Sequence, residues 1–460
     1  MYQSPFSERY ASDEMRALFS NQTRYSTYRL LWTALAKAQK VLGLPIKDAQ
    51  IKAMQKAVHK IDFEKANEYE KKFRHDVMAH IHAFGDAAPV AKPIIHLGAT
   101  SAFVTDNADL IIMREGIQIL QKNLTGILQK LSNLAKENAD LACMGFTHFQ
   151  PAQPTTVGKR ISLWLQDFLI DAKKGDQLLL DLPFLGSKGA TGTQNSFLLL
   201  FQGDHKKVKK LDDLLTKEFD FPKALTISGQ TYPRKWDLLI FQYLESFATS
   251  CHKMATDIRL LASLSEMGEK SESSQVGSSA MPHKQNPIYS ERICGLSRFL
   301  ISLSENPAYT ASLQWLERSL DDSSNRRIVI PEAFLAADAL IMLLAHVLDK
   351  LYIDKQLIKE NMNKHLPSLI KENLLLYAAL HGHDRQKIHE LLRKEKPGKN
   401  PDEFAKRFLS KLKLKAPAKL LHTESLIGRA KEQTLEFLEE EVTPYLKQKK
   451  HKSKFSKVVV

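Results

Sequence analysis

The stretch Asp106–Asn138, DNADLIIMREGIQILQKNLTGILQKLSNLAKEN, decides the fold class. Its apolar residues Leu110, Met113, Ile117, Leu120, Leu124, Ile127, Leu131 and Leu134 recur mainly by three and four. That spacing lines one face of an α-helix, not one face of a strand. About 33 residues of it, with Thr105 to Asn107 supplying cap chemistry at the start, predict a long bundle helix. A second stripe, Trp236, Ile240, Tyr243, Phe247, Cys251, Met254, Ile258 and Leu261, predicts another. From Glu332 to Ile353 the segment EAFLAADALIMLLAHVLDKLYI is apolar on nearly every side, which suits a helix at the centre of an assembly. Alternating polarity long enough for a sheet is scarce. The expected fold is all-α, with a helical N-terminal domain over residues 1–100 and a central long-helix bundle over 101–353. A helical C-terminal domain with a basic tail is expected over 354–460.

The 460 residues can bury a sizeable core. A composition of 43% hydrophobic and 26% charged residues is that of a globular chain, not a disordered one. No uninterrupted apolar run reaches the roughly 18 residues of a membrane span. The opening MYQSPFSERYASDEM has neither the basic start nor the apolar stretch of a secretory signal, so a cytoplasmic location without membrane partners is expected. Cys143, Cys251 and Cys294 are isolated, which points to neither a disulfide framework nor a thiolate metal site. The net charge of +14 invites a nucleic-acid reading. Six lysines, however, lie in the tail between Lys447 and Lys457, and the rest are scattered without interleaved aromatics. No nucleic-acid partner is expected; a basic field equally steers a small polyanionic substrate inward.

Two stretches interrupt the helical pattern. Gly186–Gly192 lacks the Gly-Lys-Ser/Thr ending of a phosphate loop and reads as a helix connection. Gly268–Pro287 is rich in serine and glycine and reads as a long loop, a kind that is usually functional inside a compact domain. Within it, GSSAMPHKQNP over 277–287, followed by Glu291, gathers two hydroxyls, a lysine, an asparagine amide and a carboxylate. Composition alone would also allow a solvated turn with incidental charges.

This run resembles the signature of the fumarase, aspartase and argininosuccinase superfamily, in which a glycine and two serines precede Met-Pro, a lysine and an asparagine. The form with His283 before Lys284 is similar to that of the branch acting on succinylated purine nucleotides; fumarase-like members usually carry glycine there and argininosuccinate lyases glutamine. Further blocks in the family's order extend the resemblance over most of the chain: Ser-Glu-Arg9-Tyr10, Arg74-His75-Asp76, Gly-Ala-Thr100-Ser101, Thr147-His148-Phe-Gln-Pro-Ala-Gln, Ser-Gly-Gln230-Thr-Tyr and Glu317-Arg318-Ser-Leu-Asp-Asp-Ser323-Ser-Asn-Arg326-Arg327. Gln285 departs from the arginine common at its position, which removes one positive charge beside the lysine.

The resemblance implies elimination of fumarate from a succinylated purine nucleotide, without metal or cofactor. It also implies action on the succinylated aminoimidazole carboxamide ribotide. Such chemistry takes a proton from a carbon beside a carboxylate, so fixed cations and amides must stabilise the dianion that forms. By resemblance Lys284 and Asn286 hold the succinyl carboxylates, and Ser278 is the general base, with Ser279 the alternative. Nitrogen departs well only when protonated. His148 is the family's general acid, and Glu291 would orient and charge-stabilise its imidazole. Arg74, His75 and Asp76 match nucleotide contacts. Arg9, Tyr10, Arg292, Arg318, Ser323 and Arg327 match nucleotide and phosphate contacts, a task for which the arginine fork is suited. Thr100, Ser101, Thr147 and Gln230 match substrate-binding positions.

Plainer readings stand beside these. A lone histidine is more often structural, and a single arginine more often sits in a surface ion pair. His75, His80 and His82 lie close together, but no carboxylate or cysteine completes a ligand set, so no metal is expected and His80 and His82 are read as structural. If Thr100 and Ser101 at one end of the long helix and His148 beyond its other end all touch substrate, roughly 50 Å separates them. No nucleotide spans that, so different chains must supply the two ends, and the family's homotetramer with shared sites satisfies the requirement. Rival readings are another fumarate-releasing enzyme such as argininosuccinate lyase, or a basic RNA-binding protein without turnover.

Overall fold

In the computed structural model, which describes residues 3–270, 281, 284–398, 400–415, 417, 426–449 and 455, long helices dominate. A short π-turn (Phe6–Tyr10) and α1 (Asp13–Leu18) precede α2 (Asn21–Val41), α3 (Asp48–Ala57), α4 (Phe63–Phe73) and α5 (Asp76–Ala87). The bundle is built from α6 (Ser101–Glu137) and α7 (Val157–Asp181), α8 (Asn195–Leu200) and α9 (His205–Glu218), α10 (Lys235–Ser263), α11 (Ile288–Leu303), α12 (Glu305–Ser312) and α13 (Asp322–Lys350). After it come α14 (Lys355–Leu380), α15 (Arg385–Lys394), α16 (Pro401–Lys411) and two helices, Ala430–Phe437 and Thr443–Gln448.

The long helix expected from the apolar stripe is α6, but it starts five residues earlier than the cap reading placed it. Thr100 is the N-cap and makes no side-chain cap bond. Asp106 and Asn107 are buried inside the helix. Asp106 pairs with Arg234, and the Asn107 amide donates both to the Phe103 carbonyl one turn back at 2.8 Å and to the Gly186 carbonyl at 3.1 Å.

The central helix is α13. Every residue from Ala333 to Ala345 is buried, and by length and composition this helix could cross a membrane, yet it is sheathed by the bundle. It runs parallel to α6: Asp106 and Asp322 share Arg234 near both N-termini, and Lys130 pairs with Asp349 near both C-termini. Gly116 of α6 makes room for the Phe334 ring, since an added Cβ would sit 2.7 Å from it. Further apolar stripes seat α10 against α11 and α6 against α7.

Two small antiparallel sheets were not legible in the helical pattern. The hairpin of β1 (Ala142–Thr147) and β2 (Gln150–Thr156) follows α6, with a register shift between Met144 and Phe146. Its second strand, QPAQPTT, carries two prolines and no apolar alternation; packing of α14 against both strands holds it. The other sheet pairs β3 (Met267–Glu269) with β4 (Leu351–Ile353), joining the end of α10 to the end of α13.

A second apolar cluster, around Ile370, Leu374, Phe404 and Phe408, lies among α14 to α16. The chain then returns, and Leu438, Val442 and Tyr445 join the main core. There the Tyr445 hydroxyl donates to Asp176 at 2.8 Å.

Candidate active site

The turn between α4 and α5 is built on Arg74, whose φ of 54° is left-handed. A side chain with a Cβ adopts this conformation at a cost of roughly 1–2 kcal/mol, and such strain concentrates at functional positions. The turn presents Arg74, His75 and Asp76 together. His75 caps α5, its Nδ1 accepting the Met78 N–H at 3.4 Å, which leaves Nε2 facing the Ser101 hydroxyl at 3.5 Å. Asp76 accepts from Arg327 of α13 at 2.6 Å. The first turns of α5, α6 and α13 thus converge on a cleft of about 900 Å³. Arg74, His75, Asp76, Thr100, Ser101, Gln230, Arg318, Ser323 and Arg327 all line it.

Gln230 is positioned by backbone. Its N–H donates to the Glu317 carbonyl at 3.0 Å and its amide Nε2 to the Ala190 carbonyl at 2.9 Å. Glycines permit the approach: a Cβ on Gly192 would lie 2.0 Å from the Ser228 carbonyl oxygen, and one on Gly229 2.6 Å from that of Glu317. The glycine-rich connection therefore also braces a wall of the cleft. It is anchored by the buried Lys188–Asp212 pair at 2.6 Å.

Beneath the cleft lies an ion network that the sequence reading missed. Arg234 bonds Asp322 at 2.6 Å and Asp106 at 2.9 Å. Arg326 bonds Asp237 at 2.7 Å and Asp109 at 2.9 Å, and also reaches the Tyr232 hydroxyl. Burial alone would lower the Arg326 guanidinium, but Asp237, Tyr232 and Asp109 outweigh it and push it well above its ordinary range. Held by these carboxylates, the two arginines fix the starts of α6, α10 and α13, and both also line the cleft. Arg318, 3.0 Å from Asp322, couples the network to the cleft. Arg24 also lines the cleft, 3.8 Å from Asp109. The legible signal was a charge on an apolar face, because Asp106 precedes Leu110, and Asp237 precedes Ile240, at helical spacing.

His80 and His82 take the structural roles expected of them. His80 is buried and stacks on Tyr25 with ring centroids 3.5 Å apart, and burial lowers its imidazole to about 4. The ring of His82 stacks on Phe73 at 4.7 Å.

The remaining predicted residues lie elsewhere. Thr147 ends β1, and His148 and Phe149 form the two-residue turn of the hairpin, both with φ 55° and both exposed. A two-residue turn with positive φ at both positions normally takes Asn or Gly, so His148 is held at the tip against local preference. It follows the far end of α6, whose 37 residues rise roughly 55 Å from Ser101. Glu291 and Arg292 occupy the first turn of α11, preceded by an exposed Lys284 and a partly buried Asn286. Arg292 lies 5.6 Å over the Tyr10 ring, and Arg9 lies 5.9 Å from the same ring, so these three assemble as one group. Tyr289 packs on His346 with centroids 4.3 Å apart. Roughly 28 Å of helix rise separates His346 from Arg327 at the cleft. One chain therefore holds both the α11 group and the hairpin tip well apart from the cleft. Ser278, Ser279 and His283 lie outside the described residues.

In the cleft, guanidinium groups, hydroxyls and an amide surround a space fit for a polyanion bearing a sugar or similar polar body. A family model described as "Lyase" matches residues 8–300. The chain is 45% identical to an adenylosuccinate lyase of Schistosoma mansoni over 96% of its own length and 95% of that protein's, with the same figures for one of Saccharomyces cerevisiae. Among solved structures, it resembles a fumarate lyase from Mesorhizobium sp. BNC1 with a TM-score of 0.81 and 21% identity, over 96% of this chain and 100% of that one. It also resembles a 3-carboxy-cis,cis-muconate lactonizing enzyme from Pseudomonas putida with a TM-score of 0.82 and 21% identity, over 96% and 99%; at that identity these two likenesses speak for the fold alone. With near full-length relatives at this identity and a family model over residues 8–300, the chain belongs to the adenylosuccinate lyase family, within the fumarase/aspartase superfamily.

Proposed function

We propose that the chain is a cytoplasmic homotetrameric C–N lyase that cleaves adenylosuccinate to AMP and fumarate. We assign it the parallel cleavage of the succinylated aminoimidazole carboxamide ribotide as well. The observation that carries the reading is the near full-length match to proteins named adenylosuccinate lyase. The arginine-lined cleft supports it, since nucleotide phosphate and two carboxylates are what such a cleft would hold.

In this reading Ser278 removes the proton beside a succinyl carboxylate, and Lys284 and Asn286 hold the carboxylates as charge builds up. His148, oriented by Glu291, delivers a proton to the departing nitrogen. Arg74, His75, Asp76, Thr100, Ser101, Gln230, Arg318, Ser323 and Arg327 hold the nucleotide, joined by Thr147, Arg9, Tyr10 and Arg292. The helix rise separating these groups supports assembly of each site from several chains. So do exposed apolar residues on the long helices: Leu163 and Ile170, seven residues apart, at 46% and 49% exposure on α7, and Leu239 and Leu260 at 38% and 40% on α10.

Mixing the protein with adenylosuccinate and following the ultraviolet change as AMP and fumarate appear tests the reading directly. An unchanged spectrum from a folded, oligomeric sample would end it. Turnover of one nucleotide alone would end the dual assignment.

A further inference from the structure

The mechanism above leaves Glu269 without a task, yet its carboxylate is tightly tied. It ends β3, just before the segment that carries the reactive serines, lysine and asparagine, and it reaches across to the residues just after that segment. One oxygen accepts the Ser290 backbone N–H at 2.6 Å and also the Ser290 hydroxyl; the other accepts the Tyr289 N–H at 3.1 Å. Those two N–H groups belong to the first turn of α11, which no intrahelical carbonyl can satisfy. Pro287, flanking the helix, offers no side-chain cap. Tyr289 and Ser290 are both buried, so without the carboxylate their donors would face protein and not water. A negative charge at a helix N-terminus is favourable in its own right.

Glu269 is itself fixed from behind. Its strand pairs with β4, where Glu269 lies opposite Leu351, and the next N–H, that of Lys270, donates to the Lys350 carbonyl at 2.9 Å. A rigid path thus runs from the central helix α13 through the small sheet to one carboxylate, and from it to the start of α11. The next two residues are Glu291 and Arg292.

We propose that Glu269 is a positioning residue for the elimination. It ties the chain entering the reactive segment to the chain leaving it, and so sets the direction in which α11 presents Glu291 and Arg292. The proposal rests on the functional reading of Glu291 and Lys284 given above. Reacting groups displaced by about 1 Å can lose about a hundredfold in rate, whereas of the nucleotide contacts only Arg292 rides on α11, so binding should change much less.

The test is steady-state kinetics on full-length Glu269→Ala, Glu269→Gln and Glu269→Asp, with melting temperature and oligomeric state measured on each. In Glu269→Ala, kcat should fall about tenfold or more while KM stays within about threefold. Glu269→Asp, which keeps both acceptor oxygens on a shorter arm, should recover part of the loss. Glu269→Gln should recover less, because its NH₂ would face a backbone N–H. A purely structural cap would lower the melting temperature but leave kcat per assembled site unchanged, and that result overturns the proposal. Should the alanine variant fail to assemble, the glutamine variant decides, since a parental kcat there overturns it equally. A parent protein without fumarate release would fail the functional reading itself; an active parent with an indifferent alanine variant fails the positioning role alone.

Discussion

Asp338 lies in the middle of α13, where its carboxylate accepts the Ser12 N–H at 2.6 Å through Oδ2. Its Oδ1 is buried without a hydrogen-bond partner among the described residues. Burial pushes this acid up from 3.8 to about 6. The folded chain thus holds the proton more tightly than the unfolded chain. The resulting stabilisation is complete below pH 3.8 and is lost as the pH rises through about 6. A neutral Asp338→Asn should therefore melt higher than the parent at pH 8, by up to about 3 kcal/mol, and the gain should shrink towards pH 4.5. Equal gains at both pH values in thermal scans would refute the assignment. A second contrast lies in adjacent arginines. Arg326 is buried on two aspartates, so Arg326→Met strands their charges and should cost about 3–5 kcal/mol of stability. Arg327 is half exposed on Asp76, a pair contributing about 1 kcal/mol at most. Arg327→Met should leave melting nearly unchanged but raise KM about tenfold or more, the loss of one charge-assisted contact. The reverse pattern would show the cleft assignment to be wrong.

At the scale of elements, the hairpin is the least expected piece and one of the most consequential. Its bulge depends on Gly145, where an added Cβ would sit 2.4 Å from the Gln153 carbonyl oxygen. Gly145→Ala must open the ladder and swing the turn that carries His148. Activity should drop mainly in kcat, while far-ultraviolet circular dichroism stays helical; undiminished kcat would separate the hairpin from catalysis. The helices α6 and α10 were legible because burial on one face imprints a 3.6-residue period on sequence, and α13 because a run apolar on nearly every side marks a helix buried all round. The start of α6 was misread because Asp106 and Asn107 look like caps until their distant partners, Arg234 and Gly186, are known. The hairpin left no period at all, since its prolines and glutamines are held by α14 from outside. The residues of the cleft were legible only as motif blocks: Arg74 and Arg327 lie far apart in sequence and meet through packing. Asp109, Arg234 and Arg326 were missed because an arginine that binds a ligand and one that binds an aspartate read alike.

For the whole molecule, the geometry of α6 and α13 imposes a constraint that no local change can relax. The cleft lies at their N-terminal ends, the hairpin tip beyond the C-terminal end of α6, and Tyr289 against the C-terminal part of α13. These helices are rigid rods, so the cleft cannot meet the hairpin tip or the start of α11 within one chain without dismantling the core around Ala333 to Ala345. Neighbouring chains packed through the exposed apolar faces of α7 and α10 would bring them together. A variant lacking the acid, His148→Gln, and a variant lacking a cleft contact, Arg327→Met, should each be impaired in every site when alone. Mixed, partly dissociated and reassembled, they should regain activity well above either, because some sites then draw an intact imidazole from one chain and an intact cleft from another. The recovery should follow the mixing ratio and pass through a maximum. If the mixture never exceeds the average of its parents while size-exclusion chromatography shows mixed oligomers, each site is confined to a single chain and the shared-site reading falls.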